Sequence, residues 1–314
     1  MFDECKPSVG LIGAGDFTAK VILPALKKAG VRLKTIASCS GVSGTHLGNK
    51  FGFDKSTTDS EIIFSDPEIN TVFITTRHNS HFRFVLEALN AGKHVFVEKP
   101  LCLSTSELDK ICEAYKSCGS KVLLVGFNRR FAPHIQKIKS LITTVQEPKA
   151  MIMTVNAGMI PIDHWTQDPS VGGGRIIGEV CHFIDLLGFL AGSEIVSYEK
   201  TKLKSCAGDT LSIQMGFADG SIGTVHYFSI GNKRFPKERL EIFCEGRILQ
   251  MDNFRKLRGY GWPNFKKMNL LSQNKGHEEE VKQFIDSIKD GKSAPIPFEE
   301  IVETTKISLN LASD

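Results

Sequence analysis

Two short segments carry side chains able to move protons. Glu98-Lys99-Pro100 closes the apolar run His94-Val95-Phe96-Val97. Ligands of open α/β sheets bind beyond the carboxyl ends of strands, so Lys99 is expected to point into a crevice. An ammonium beside a substrate hydroxyl would stabilise the alkoxide that develops as hydride leaves its carbon. A surface lysine ahead of a turn proline explains the same three residues. The second segment runs Gly172-Gly173-Gly174-Arg175-Ile176-Ile177-Gly178-Glu179-Val180-Cys181-His182-Phe183-Ile184-Asp185. On a helix, Glu179, His182 and Asp185 would share one face. A histidine near its ordinary pKa can take a hydroxyl proton at neutral pH, and a neighbouring carboxylate can orient it. The plainer alternative is a helix-start histidine satisfied by backbone. A metal site there lacks a supporting Cys or His pair.

A third segment could hold a cofactor. Gly13-Ala14-Gly15-Asp16-Phe17-Thr18 follows a short apolar run and opens a helical pattern. The first glycine permits a tight turn and the second lets backbone approach a pyrophosphate, which the helix N-terminus receives with open N–H donors. Thr18 stands where a third glycine is usual. A ligand-free glycine turn is the alternative. Recognition of NAD usually requires a carboxylate at the end of the second strand. Here that strand ends Ala37-Ser38-Cys39-Ser40-Gly41. Ser38 and Ser40 could hydrogen-bond a 2′-phosphate, with Thr45 and His46 nearby but no clamping arginine, which tips the balance slightly toward NADP.

These segments need elements to position them. Strands are expected at Ser8–Gly13, Val31–Ser38, Thr71–Thr75, His94–Val97 and Lys121–Val125, with helices over Phe17–Ala29, Ser80–Asn90 and from Ser104, whose Glu107 completes a capping box. Short continuous apolar strands separated by helices imply a doubly wound parallel sheet. From about residue 126 the rhythm changes. A helix over Pro133–Leu141 precedes longer strands at Ala150–Ala157, Ile195–Lys204, Thr210–Phe217, Ser221–Ile230 and Leu240–Cys244, with a hairpin at Ala218-Asp219-Gly220. An amphipathic helix over His277–Asp290 carries Val281, Phe284, Ile285 and Ile288 on one face. The expected class is α/β: a dinucleotide-binding domain over 1–125, then a substrate-binding and oligomerisation domain over 126–314 with a large, mostly antiparallel open sheet. The closing helix is free to pack back on the first domain.

Composition narrows the functional classes. The 314 residues are 41% hydrophobic and 24% charged, ordinary globular usage that argues against disorder. A net charge of +4 is too mild and too dispersed for a nucleic-acid face. The dense patch Arg255, Lys256, Arg258, Lys266 and Lys267 reads as a solvated loop. No apolar run approaches the ~18 residues of a membrane helix, and the polar start Met1–Lys6 is unlike a secretory signal. Eight cysteines, at positions 5, 39, 102, 112, 118, 181, 206 and 244, form no C-x-x-C pair. They fit a reduced, cytoplasmic, metal-free chain with neither nucleic-acid nor membrane partners.

The combination of G-A-G-D-F-T, E-K-P, G-F-N-R-R-F-A-P and the Gly172–Asp185 segment resembles the Gfo/Idh/MocA family of NAD(P)-dependent oxidoreductases over essentially the whole chain. The resemblance implies a Rossmann domain followed by an α/β domain whose open sheet packs against another subunit, in a homodimer or homotetramer. It implies hydride transfer at a hydroxyl-bearing carbon of a sugar, cyclitol or nucleotide sugar. Carried over by position, Lys99 and His182 are the catalytic residues. Gly13, Gly15, Asp16, Phe17, Thr76, His81, Glu98 and Lys99 lie along the cofactor, with Ser38 and Ser40 at its ribose. Asn128, Arg129, His164, Trp165, Glu179 and Asp185 face the substrate. Arg77 and His78 replace the family's Pro and Asn in its T-P-N-x-x-H segment, and Gly178 replaces an Asp frequent four residues before the histidine. Glu179 is next door but would point about 100° away on a helix. A non-catalytic dinucleotide-binding sensor or scaffold, and an enzyme that oxidises its sugar transiently and recycles the cofactor, are the alternatives. The stretches I-A-S-C-S-G-V-S-G-T-H and N-A-G-M-I-P-I-D-H-W-T-Q-D-P resemble a narrower group, in which this module follows an alcohol-dehydrogenase-like domain; that implies a fused or partner domain. Trp165 would then face a sugar ring or fill a core.

Overall fold

The computed structural model describes residues 6–204 and 209–313. The opening Met1–Cys5 stretch, Cys5 and Cys206 lie outside the described residues. The chain divides into two compact units, one of Met1–Gly126, Ser170–Gly173 and His277–Leu309, the other of Phe127–Pro169, Gly174–Gly276 and Asn310–Asp314.

The first unit alternates β1 (Ser8–Ile12), α1 (Leu23–Ala29), β2 (Arg32–Ala37), α2 (Gly41–Phe51), β3 (Lys55–Thr57), α3 (Glu61–Ser65), β4 (Thr71–Ile74), α4 (His81–Asn90), β5 (His94–Val97), α5 (Thr105–Ser117) and β6 (Leu123–Val125). Its six strands are all parallel, in the order β3-β2-β1-β4-β5-β6. β1, β4, β5 and β6 are buried throughout, as sheets covered on both faces require. A π-type turn, Thr18–Ile22, precedes α1. The order reverses between β1 and β4, so the carboxyl ends of β1, β4 and β5 carry the Gly13–Gly15 turn, Thr75–His81 and Glu98-Lys99 side by side. That is where open α/β sheets bind ligands.

The second unit contains α6 (Pro133–Ile142), β7 (Ala150–Asn156), α7 (Cys181–Ala191), β8 (Ile195–Lys202), β9 (Leu211–Phe217), β10 (Ile222–Phe228), β11 (Glu238–Cys244), β12 (Arg247–Asp252), β13 (Lys256–Tyr260) and β14 (Lys267–Asn269). Their order is β14-β13-β12-β11-β7-β10-β9-β8, antiparallel except for β7 beside β10. Met153, Val155, Val225 and Tyr227 point to the buried face, where a Cβ on Gly223 would meet Leu187 of α7 at 3.0 Å. The opposite face leaves Ile222, Phe228 and Phe243 exposed.

Two further helices complete the described chain, α8 (His277–Lys289) and α9 (Phe298–Ala312). α8 belongs to the first unit, where Phe284 sets its ring edge-on against the stacked pair Phe73–Phe96, at 5.5 and 5.6 Å. Val281, Phe284, Ile285 and Ile288 are all buried, as their helical spacing predicts.

Some local expectations change. The basic patch is only partly a loop: Arg255 and Lys266 lie outside the strands, but Lys256 and Arg258 lie on β13 and Lys267 on β14, with the charges in solvent and Leu257 buried between Lys256 and Arg258. Charged side chains suit a strand at a sheet edge, where they discourage pairing with another chain. Ser104 does cap α5, accepting from the Glu107 N–H at 3.3 Å. The Glu107 carboxylate reaches back one residue further than a capping box specifies, to the Leu103 N–H at 2.8 Å.

Candidate functional site

In the first unit, the Gly13–Thr18 turn has the geometry of a dinucleotide cradle. Gly13 adopts φ +111°, and a Cβ there would press to 2.8 Å of the Thr75 backbone. Only glycine fits without strain. A Cβ on Gly15 would meet nothing within 4 Å, so backbone and open space face each other where a pyrophosphate needs them. Ala19 donates to the Gly15 carbonyl at 3.0 Å, so the helix starts at once and its first N–H groups stay open to an anion. Thr18, in place of the third glycine, is buried. Its Oγ1 shares a 2.7 Å hydrogen bond with Thr75 Oγ1, tying the helix to the end of β4. The chain therefore fits a dinucleotide without the third glycine. Asp16 is exposed and pairs with Lys20, and Phe17 is exposed and edge-on to His277 at 5.6 Å.

At the end of β2, Ser38 is half-buried and Ser40 exposed, the latter as the residue before α2. Ser43 Oγ lies 3.3 Å from Ser38 Oγ and donates to the Ser40 carbonyl. Three hydroxyls thus gather at the start of an 11-residue helix.

At β4 and β5, His81 is fully buried between two loops, with Nδ1 2.6 Å from the Pro100 carbonyl and Nε2 3.2 Å from that of Thr76. It thereby holds the turn after Lys99, whose peptide bond to Pro100 is cis. His78 Nδ1 lies 2.7 Å from the Gly172 carbonyl. Burial lowers the pKa of His81 to about 4 and that of His78 to about 3, and the nearby Lys99 ammonium adds to both shifts. Glu98 and Lys99 are half-buried. The Glu98 carboxylate occupies space that a Cβ on Gly126 would enter, at 3.0 Å.

These histidines impose a pH dependence. Both stay neutral in the folded chain while the unfolded chain protonates them near 6.5, so their contribution is full above about 6.5 and falls as pH drops toward 4. Each proton taken up only by the unfolded state steepens the slope by about 1.4 kcal/mol per pH unit. Urea unfolding followed from pH 7 to pH 4 should show this loss, and His81→Gln should remove about one proton's worth of slope. An unchanged slope in that variant would count against a neutral His81.

In the second unit, Asn128, Arg129 and Arg130 form a buried 3₁₀ turn after β6. Asn128 Nδ2 donates to the Lys275 carbonyl at 2.7 Å. Arg129 donates to Glu238 at 2.7 Å and lies 4.8 Å over the Phe183 ring. Arg130 grips both carboxylate oxygens of Asp185, at 2.5 and 3.1 Å. Both pairs are almost wholly buried. A π-type turn, Ile176–Val180, opens into α7, so His182 stands one residue inside that helix, buried, its ring edge-on to Phe127 at 6.2 Å.

The extra residue of a π turn breaks the shared helical face expected for Glu179, His182 and Asp185. Glu179 accepts from Lys237 at 2.6 Å, from Arg175 at 3.1 Å and from the Tyr227 hydroxyl, while Asp185 turns to Arg130. Burial alone would raise the Glu179 pKa. Lys237, Tyr227 and Arg175 outweigh it and hold the carboxyl ionised, with a pKa of about 2. His164 is exposed and Trp165 half-buried, in a 3₁₀ turn that His164 caps through the Thr166 N–H.

Sequence reasoning passed over Arg130, Arg175, Tyr227, Lys237, Glu238 and Lys275. The only signal for them was the run Asn128-Arg129-Arg130; their partners stand up to 147 residues away. A cavity of about 810 Å³ on the exposed face of the second sheet, lined in part by Thr154, Asn156, Ser212, Phe228 and Phe235, contains none of the expected site residues. Among the described residues, no three or more His, Cys, Asp or Glu side chains are grouped to hold a metal ion, and no helix is long and apolar enough to cross a membrane.

Comparison with known proteins agrees with this geometry. Residues 8–127 match the GFO_IDH_MocA model, described as an oxidoreductase family with an NAD-binding Rossmann fold. Myo-inositol 2-dehydrogenase of Thermotoga maritima is 27% identical over 277 residues, 81% of this chain and 80% of that protein. Inositol 2-dehydrogenase of Rhizobium meliloti is 25% identical over 301 residues, 90% of this chain and 88% of the other. A solved levoglucosan dehydrogenase, in complex with NADH and levoglucosan, shares the fold with a TM-score of 0.85 at 21% identity, covering 98% of each chain.

Proposed function

We propose that this chain is an oxidoreductase of the Gfo/Idh/MocA type, the family whose NAD-binding Rossmann model its residues 8–127 match, and that it moves a hydride between a nicotinamide dinucleotide and a hydroxyl-bearing carbon of a sugar or cyclitol. The observation that carries the reading is Lys99 at the carboxyl end of β5, on the sheet edge that also carries the Gly13–Gly15 turn. The bound nicotinamide supplies the hydride acceptor or donor. Gly13, Gly15 and the open N–H groups after them hold its pyrophosphate. Glu98, the Thr76 loop and His81 shape the wall beside it, His81 through its one N–H bond to the backbone rather than by contact. Lys99 donates a hydrogen bond to the substrate oxygen, so that negative charge developing there meets an ammonium. His182 takes or returns the hydroxyl proton, a role open to an imidazole beside a reacting hydroxyl. Glu179 does not stand in for the missing acid at Gly178, because Lys237, Arg175 and Tyr227 already hold it.

The reading extends to cofactor choice, assembly and compartment. No carboxylate closes β2, whereas Ser38, Ser40 and Ser43 gather at the start of α2. NADP is therefore the preferred dinucleotide. The exposed side chains Ile222, Phe228 and Phe243 on the open sheet face suit self-association into a dimer or tetramer. The cytoplasm, with its nicotinamide pool, is the compartment of work.

The first test is titration with NADH and with NADPH, followed by nicotinamide fluorescence. NADPH should bind about tenfold tighter or better, in line with one or two charge-assisted hydrogen bonds. Ser38→Asp should reverse the order. Equal affinity would sink the NADP preference, and binding of neither by folded protein would sink the oxidoreductase reading. A panel of inositols, hexoses and anhydrosugars then shows which hydroxyl is oxidised.

A further inference from the structure

The second unit concentrates cations at the start of α7. Arg129 and Lys275 both donate to one oxygen of Glu238, at 2.7 and 3.1 Å, and the other oxygen, though buried, has no hydrogen-bond partner. One residue earlier in the chain, Lys237 pairs with Glu179 at 2.6 Å. Arg175 bridges Glu179 and Asp209. Among the described residues, these ion pairs join four cations, Arg129, Arg175, Lys237 and Lys275, to three carboxylates, Glu179, Asp209 and Glu238.

A cluster built only for stability would bury its charges in balance, because an uncompensated buried charge is costly. Here the surplus charge is not sealed away. The Lys237 side chain is 40% exposed and that of Lys275 18%, while Arg175 and Glu238 are closed off. Burial holds the Lys275 ammonium below its ordinary pKa, and the Arg129 and Lys237 charges push the same way. An arriving anion would relieve that strain. Two chain neighbours of His182 touch this group: Glu179, three residues before it, pairs with Lys237, and Phe183, the residue after it, lies under Arg129.

We infer that Lys237 and Lys275 form an anion-recognising subsite beside His182, which takes a carboxylate or phosphate carried by the sugar-like substrate. The inference rests on the oxidoreductase reading above and sharpens its substrate class from neutral polyols to acidic ones. Lys237 would contact the oxyanion first, being the more exposed. Lys275 would complete the contact from the Glu238 side, and Glu179 would keep Lys237 aimed when the site is empty.

Calorimetric titration of the full chain with D-glucose, D-glucuronate and D-glucose 6-phosphate tests this at low and at physiological salt, with NADH or NADPH present. At least one of the two anions should bind about tenfold tighter than glucose, as a charge-assisted hydrogen bond provides. Which anion gains separates a sugar acid from a sugar phosphate. The advantage should fall to about twofold or less in Lys237→Gln and in Lys275→Gln, and survive in Lys237→Arg, which keeps the charge. Equal affinity for all three sugars in the unmodified chain overturns the subsite whatever the variants do, as does an anion preference that persists in both Gln variants. Oxidation of neutral polyols without any anion preference would leave the oxidoreductase reading standing and remove the subsite. Anion preference without turnover of any sugar would support the subsite and remove the oxidoreductase reading.

Discussion

Lys99→Met should lower kcat/KM for whichever polyol or sugar acid is oxidised by about 10² to 10⁴-fold, the range seen when a positioned proton-handling group is removed. The affinity for NADPH or NADH should change little, because the proposed cradle is Gly13, Gly15 and backbone N–H groups rather than the ammonium. The loss should fall mainly on kcat, since the ammonium matters most when the substrate oxygen carries developing negative charge. A second readout is independent of turnover. The Lys99 charge holds down the pKa of His78 and of His81, so its removal should raise both, as followed by imidazole resonances in acid titration. A sensor or scaffold would show the imidazole shifts without any turnover to lose. An enzyme that keeps its full kcat in Lys99→Met would end the assignment of Lys99 to the chemistry.

The segments proposed to carry this chemistry are legible because each is tied to a local pattern. β1, β4, β5 and β6 are short apolar runs buried on both faces, and the glycine turn and E-K-P sit at their carboxyl ends. What stayed hidden depends on contacts made at a distance. The segment Gly41–Phe51 reads poorly as a helix because three of its residues are Gly41, Gly44 and Gly48, which helix propensity disfavours. Packing explains them: a Cβ on Gly44 or Gly48 would crowd Ser38 or Ile36 of the adjoining strand region at 3.2 Å. β13 and β14, the last two strands at one side of the sheet, look like a loop because short strands of alternating charge have almost no apolar signature.

The site in the second unit was legible by residue type and illegible by partner. Glu179, His182 and Asp185 were expected to share one face, but a π turn over Ile176–Val180 leaves no trace in hydrophobic periodicity. Their partners, Lys237, Tyr227 and Arg130, lie 58, 48 and 55 residues away, and no local rule reaches that far.

The Arg130–Asp185 pair should dominate the stability of the second unit. Asp185 is sealed from solvent and Arg130 nearly so, the guanidinium bridging both carboxylate oxygens and lying 5.0 Å over the Phe189 ring. Asp185→Ala takes the bidentate carboxylate from a buried guanidinium, and Arg130→Ala takes the guanidinium from a buried carboxylate. Each should cost about 3 to 5 kcal/mol, because the remaining charge keeps its desolvation penalty and loses that partner. The double variant Arg130→Met with Asp185→Leu should recover most of that loss, since well-packed apolar side chains remove both penalties together. Thermal unfolding of all three variants, with NADPH binding as the check that the first unit survives, measures the coupling. If Asp185→Ala unfolded within about 1 kcal/mol of the unmodified chain, the pair would carry little of the fold, and Asp185 would instead be open to a direct part in holding substrate. Pronounced destabilisation with recovery in the double variant would make Asp185 a residue that fixes the helix bearing His182, acting on the reaction through that helix alone.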